Sequence, residues 1–183
     1  MARIHITGAS GSGTTTLGAA VAQRLNIPHF DTDDFYWRKT DPPFTTKMPP
    51  AERVARLSAM LPSSSGWVFS GSALKWGERF DPLYDLIVFL ALDPEVRMAR
   101  ILRRERDRYG QRIEPGGDMA ETSVAFLTWA ASYDTAGPEQ RSRAAHDAWL
   151  ETHSAPVVKL NSAEPLQALV DAVAWAASSR VRR

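Results

Sequence analysis

The sequence predicts a three-layer α/β fold, with five parallel strands covered by helices, and three observations carry that prediction. Apolar segments of strand length alternate five times with segments of helical period along the 183 residues. One segment, Asp85-Leu86-Ile87-Val88-Phe89-Leu90-Ala91-Leu92, is apolar almost throughout, as a strand buried on both faces of a parallel sheet must be. The first strand runs through a glycine-rich turn straight into a helix, a connection typical of such sheets. The length suits one domain, residues 1–183, with one sizeable core.

Arg3-Ile4-His5-Ile6-Thr7 alternates as a short strand, and Leu17, Ala20, Val21 and Leu25 mark a helix after it. Between them stand Gly8, Ala9, Ser10, Gly11, Ser12, Gly13, Thr14 and Thr15. Glycines let consecutive backbone N–H groups point inward, and the helix start adds unpaired amides and the positive end of its dipole. The spacing G-x-x-x-x-G is that of a phosphate-binding loop. That motif continues with Lys; here Thr14 stands in its place, and Thr15 offers the hydroxyl expected on Mg²⁺. A surface turn has the same composition, but the flanking strand and helix favour the phosphate loop. The missing lysine is a missing point charge, and the cradling itself is done by backbone.

Ile27-Pro28-His29-Phe30-Asp31 reads as a second strand ending in Asp31-Thr32-Asp33-Asp34. In an open parallel sheet these acids fall at the same edge as the glycine loop. Three acids in four residues repel one another, which a bound cation or an arginine cluster would relieve; the alternative is a cap on the Phe35-Tyr36-Trp37 segment. Residues 38–50 are a long Pro- and Thr-rich loop of the kind used for lids and binding. A short helix follows with Val54, Leu57 and Leu61 on one face and Arg53 and Arg56 on another side, within reach of a substrate phosphate or simply solvated.

Residues 62–66 form a turn, and Trp67-Val68-Phe69-Ser70 is the third strand. It ends in Ser70-Gly71-Ser72, small enough for a ligand to approach the backbone. Lys75 just beyond is a possible stand-in for the missing loop lysine. Asp93-Pro94-Glu95 starts a helix with an N-cap, a proline at its first position and an acid in its first turn. Arg97, Arg100, Arg104 and Arg108 share a face of it, a repulsion that a bound polyphosphate would relieve; a solvated surface is the alternative. Asp118 and Glu121 resemble a capping box for the next helix, which carries Val124, Leu127 and Ala131 with Trp129 and Tyr133 as core aromatics. Gly137-Pro138 breaks it, and a further helix holds Arg141, Arg143, His146, Trp149 and His153, the histidines surface or packed rather than catalytic. Pro156-Val157-Val158-Lys159-Leu160 is the fifth strand, and Leu166, Leu169, Val170, Val173, Ala174 and Ala177 stripe the last helix. The basic tail, residues 180–183, is expected to fray.

Composition excludes several functions. A net charge of +1 argues against a nucleic-acid binder. Cysteine is absent, which removes disulfides, thiolate catalysis and thiolate metal sites. No apolar run reaches membrane-spanning length and no signal-peptide pattern opens the chain, so a cytoplasmic protein without a membrane partner is expected, a monomer or weak homodimer. The basic residues are mostly arginine, with only Lys39, Lys47, Lys75 and Lys159 as lysines; arginine suits bidentate phosphate recognition, and coding bias is the alternative.

In element order and in these motifs the chain resembles the P-loop nucleoside and nucleotide kinases, the group of adenylate, cytidylate and shikimate kinases. The resemblance implies a P-loop NTPase fold with strand order 2-3-1-4-5, an acceptor-binding insert near residues 33–62 and a lid near residues 104–118 that closes over ATP. It implies that residues 8–15 hold the ATP phosphates with Thr15 on Mg²⁺. Asp31-Thr32-Asp33 resembles the D-x-D of shikimate kinases, which assigns Asp31 to the metal and Asp33 to an acceptor hydroxyl. Gly71 and Ser72 fall at the acceptor turn, Arg104, Arg108 and Arg112 in the lid, and residues 161–163 at the adenine-contacting loop. The chain departs from the pattern at Thr14 and in lacking the Asp-Gly of adenylate kinases after the third strand.

These readings predict an ATP- and Mg²⁺-dependent small-molecule kinase. Its expected acceptor is a nucleoside monophosphate such as CMP or AMP, bound among Asp33, Arg53, Arg56, Gly71, Ser72 and Lys75, with Arg104, Arg108 and Arg112 neutralising the transferred group. A kinase of an alcohol metabolite, a nucleotide-binding regulator without turnover, and a slow ATP hydrolase are the alternatives.

Overall fold

In the computed structural model, which describes residues 2–62 and 65–179, the five apolar segments form one sheet of parallel strands in the order β2-β3-β1-β4-β5. The strands are β1 (Arg3–Gly8), β2 (His29–Asp31), β3 (Trp67–Ser70), β4 (Leu86–Ala91) and β5 (Val157–Asn161). The expected order and class are therefore those of the molecule. β2 is shorter than its apolar run because Pro28 has no N–H to give; its carbonyl accepts from Val68 N instead. The basic tail and Ser63 and Ser64 of the expected 62–66 turn lie outside the described residues.

Alternation along the central strands feeds two cores. Ile4, Ile6, Val68, Leu86, Val88 and Leu90 face helices α1 (Thr14–Leu25) and α7 (Leu166–Ser178), whose Leu17, Val21, Leu169, Val170 and Val173 complete that layer. Trp67, Phe69, Ile87 and Phe89 point the other way, to Phe35 of α2 (Asp33–Tyr36), Leu57 of α3 (Pro50–Met60) and Leu150 of α6 (Arg143–Glu151). Burial on both faces explains why β4 carries no polar alternation. α4 (Pro94–Tyr109) begins as expected, with Asp93 Oδ1 accepting from the amides of Glu95 and Val96 at 2.9 and 3.2 Å.

Two local readings are corrected. Helix α5 (Ala120–Ala131) starts after Met119 with no side-chain cap; Asp118 is drawn away by Arg112, so no capping box forms. Val124 of α5 is exposed rather than core, and Tyr133 is buried as read. The 38–50 stretch is a long loop as read, pinned by an antiparallel bridge between Trp37 and Lys47, and the segment before it forms the short helix α2.

Parallel pairing brings every strand's C-terminal end to one edge. Gly8 pairs with Leu90, Asp31 with Ser70, and Ala91 with Asn161. The glycine loop, the acids and the small-residue turn meet there.

Candidate active site

The loop after β1 is shaped by Gly11 and Gly13, at φ 81° and 88°, values that side-chain-bearing residues rarely adopt. Its inner turn is closed by Ser12, whose amide and hydroxyl both donate to the Ala9 carbonyl at 3.2 and 2.8 Å. Gly13 is the N-cap of α1 and has no side chain to cap it. Among the described residues the amides of Thr14, Thr15 and Thr16 therefore find no protein acceptor, and they carry the positive end of the α1 dipole. This cradle of free amides fits a polyphosphate. Thr14 is 9% exposed and brings no charge, whereas Thr15 is exposed at the lip.

The loop is braced from outside. Ser162, just after β5, donates its hydroxyl to the Ser12 carbonyl at 2.5 Å and accepts from Arg100 Nη1 at 3.2 Å. The 161–163 segment expected near adenine is thus joined to the loop. Arg141 Nη2 donates to the Gly8 carbonyl at 2.7 Å across 133 positions of sequence. Beneath, buried His146 joins Thr7 (3.2 Å to its Oγ) and Tyr133 (2.8 Å to its hydroxyl). Burial holds this imidazole neutral, with a pKa lowered to about 3.

Beside the loop, Asp31 is already engaged. One carboxylate oxygen accepts from the Asp33 amide at 2.9 Å and the other from the Ser70 hydroxyl at 3.0 Å. Asp33 is open to water, yet protein surrounds much of its carboxylate. The surrounding protein and the charge of Asp31 raise its pKa, against the fields of Arg141, Arg104 and Arg108. The repulsion among the acids is thus met by arginines. Among the described residues no cluster of three acids or histidines forms a metal cage. The donor types available at this sheet edge, the Thr15 hydroxyl and the Asp31 carboxylate, fit Mg²⁺, which commonly takes one or two protein oxygens and completes its shell with phosphate and water.

The remaining expected residues separate into groups. Arg53 is 6% exposed, not on the outer side of α3. Its Nε donates to the Met48 carbonyl at 2.6 Å and its guanidinium lies 3.7 Å over the Tyr36 ring, so its long stem and flat head pack α3 onto the 36–48 segment. Arg56 remains exposed and meets Met48 Sδ at 3.4 Å. Gly71, at φ 99°, is needed because a Cβ there would overlap the Thr32 side chain; its space is filled by protein. Ser72 Oγ and Trp76 Nε1 are buried with no hydrogen-bond partner among the described residues. Lys75 is exposed and its ammonium donates to the Glu139 carbonyl.

The arginine row of α4 divides as well. Arg97 is buried and serves packing, donating to the Ala130 carbonyl at 2.9 Å and to Asp134 at 2.8 Å. Arg108 stacks 4.1 Å from the Phe44 ring. Arg112 lies 2.8 Å from Asp41 and 2.7 Å from Asp118, and the Tyr109 hydroxyl donates to the Pro43 carbonyl at 2.9 Å. Of the arginines expected in a lid, Arg104 and Arg108 project their charge toward Asp33 and Arg112 is held by carboxylates.

Two site residues were missed from sequence as contacts of the loop, Arg141 and Ser162. One signal for Arg141 was present: it precedes Ser142, the N-cap of α6, and a cation is disfavoured at the positive end of a helix. Such a misplaced charge asks for an anion.

Comparison with known proteins fits this geometry. A family model described as an AAA domain matches residues 4–122. An uncharacterized Bacillus subtilis protein, YqaC, is 42% identical over 93% of this chain and 94% of its own length. A cytidylate kinase of Corynebacterium efficiens is 28% identical over 79% of this chain and 67% of its own. Among solved structures, a gluconokinase from Sinorhizobium meliloti aligns over 97% of this chain and 94% of its own with TM-score 0.56 and 19% identity. A shikimate kinase from Bacteroides thetaiotaomicron aligns over 94% and 96% with TM-score 0.55 and 19% identity. The chain belongs to the AAA domain family AAA_18 and has the fold of the P-loop kinases.

Proposed function

We propose that the protein is an ATP- and Mg²⁺-dependent kinase of a small molecule, and that the group it phosphorylates is a hydroxyl. The observation that carries this reading is Asp33, a carboxylate at the strand-end edge that also bears the amide cradle, in the field of Arg141, Arg104 and Arg108. A hydroxyl gains from a carboxylate that accepts its proton as it attacks. An ionised phosphate acceptor needs no such base and is repelled by one. The nucleoside monophosphate expected from sequence is the second reading. It is supported by the cytidylate kinase relative and by the Tyr36, Trp37 and Phe44 rings, a surface on which a base could stack.

The residues have separable tasks. The amides of Thr14, Thr15 and Thr16 bind phosphate oxygens, and the Thr15 hydroxyl with the Asp31 edge holds the metal. When bound, Mg-ATP supplies the phosphoryl group and the metal's neutralising charge. Asp33 orients the acceptor and accepts its proton, and Arg104 and Arg108 stabilise charge on the transferred group. The unpartnered Ser72 hydroxyl and Trp76 N–H offer hydrogen bonds to the acceptor.

The test is ADP formation with Mg-ATP against a panel of polyols, sugar acids, cyclic alcohols, nucleosides and nucleoside monophosphates. Turnover dependent on an alcohol confirms the proposal. Turnover with a monophosphate alone moves the assignment to the second reading. Tight Mg-ATP binding with no acceptor-dependent turnover identifies a nucleotide-binding regulator, with Thr14 as the reason.

A further inference from the structure

We infer that Arg141 supplies the charge that Thr14 does not: its guanidinium, anchored on the Gly8 carbonyl, binds the outer phosphates of a polyphosphate held by the 8–15 loop. The inference rests on the phosphate-cradle reading above and assigns a residue that the loop motif itself does not contain.

The case is made by comparing the cations around the loop. Arg100 spends Nη1 and Nη2 on Ser162, at 3.2 and 3.4 Å. Arg97 spends its head on Ala130 and Asp134. Lys75 gives its ammonium to the Glu139 carbonyl. Arg112 is held by Asp41 and Asp118. Arg141 alone among these donates to the loop at its first residue, and no carboxylate among the described residues lies within ion-pair distance of it. Its Nε is buried with no acceptor. One of five N–H groups is therefore on Gly8, and the rest of the fork has no protein partner among the described residues.

The surroundings hold the side chain in place. Ser142 caps α6 through the Ala145 amide at 3.0 Å and donates to the Gly137 carbonyl at 2.8 Å, which fixes the backbone on either side of Arg141. Trp129 lies 5.7 Å from the guanidinium, and Ser10 of the loop shares a small concavity with Trp129, Tyr133 and Arg141. A desolvated cation without a carboxylate is costly to keep, and burial lowers its pKa here. A phosphate offsets that cost and matches the planar fork, which can bind two oxygens together. The same head projects its field onto Asp33, so one cation acts on both the cradle and the proposed proton acceptor.

The test is calorimetric titration with inorganic tripolyphosphate, which reports the cradle without adenine, metal or acceptor. Arg141→Met is expected to weaken binding at least tenfold, while Arg141→Lys, which keeps a cation, recovers most of the loss. Arg143→Ala, two positions on and beside Asp134, is expected to bind as the parent does. Thermal melts establish that each variant is folded, and Arg141→Gln replaces Arg141→Met if the latter is not. A loss smaller than tenfold in the folded neutral variant, or the same loss in Arg141→Lys, overturns the assignment while leaving the cradle intact. Absence of tripolyphosphate binding by the parent protein overturns the cradle itself.

Discussion

Acid should destabilise this fold through two buried histidines, and the size of the effect can be worked out. His5 and His146 are 1% and 0% exposed. His5 stacks on Tyr84, with Phe69 and Trp149 around it, and its Nδ1 meets the Phe69 carbonyl at 3.0 Å. His146 faces Thr7, Tyr133, Phe89, Arg141 and Arg143. Burial, with neighbouring cationic or titratable groups, lowers each pKa from 6.5 to about 3. A histidine with a lowered folded-state pKa costs nothing while both states are neutral. As pH falls below 6.5 the unfolded chain takes up a proton that the folded chain refuses, so stability declines until pH reaches the folded value. Between pH 7.5 and 5.0 each such histidine removes about 2 kcal/mol, and the pair about 4 kcal/mol, a large share of a typical domain's stability. Urea unfolding at the two pH values measures this directly. In His146→Gln the pH-dependent part should shrink by about 2 kcal/mol, whatever the variant's stability at pH 7.5. A variant that loses as much stability on acidification as the parent would refute the reasoning.

Two other outcomes follow from particular contacts. Asp33→Asn should lower acceptor-dependent turnover by about 10²-fold or more while tripolyphosphate binding stays within about threefold, because only the proton acceptor is removed; because the Asp33 pKa is raised, parent turnover should fall as the carboxylate is protonated in acid, a limb absent from the variant. Gly71→Ala should cost about 1–3 kcal/mol in denaturant unfolding, since its φ of 99° is strained for alanine and its methyl meets Thr32; unchanged stability would show that the Thr32 contact relaxes freely.

The sheet was legible because its information is local. The two-sided burial of β4 shows as an unbroken apolar run, and the glycine loop shows as spacing between a strand and a helix. The order of the strands followed from resemblance and agrees with the pairing. The Asp31 and Asp33 pair was legible as a local excess of like charge. Arg53 and Arg97 were read too far outward, since an arginine counts as polar in any periodicity although its stem and flat head can be buried under Tyr36 or against Asp134. Asp118 was read as a cap because a capping pattern looks only at residues that follow, and the competitor for its oxygens, Arg112, lies six positions before it. Arg141 reaches Gly8 only through tertiary closure, across 133 positions, and no spacing rule spans that distance.

The contacts of Arg108, Tyr109 and Arg112 with Phe44, Pro43 and Asp41 have a mechanical meaning. They fasten the 41–44 stretch to the end of α4 and the turn after it, so that the two segments make a single leaf. The Arg112–Asp41 pair is exposed, where an ion pair holds weakly; Tyr109 is buried, so the packing rather than the charge carries the fastening. If the 33–62 stretch holds the acceptor and the 104–118 stretch covers ATP in the proposed reaction, the two reactants share one connected wall.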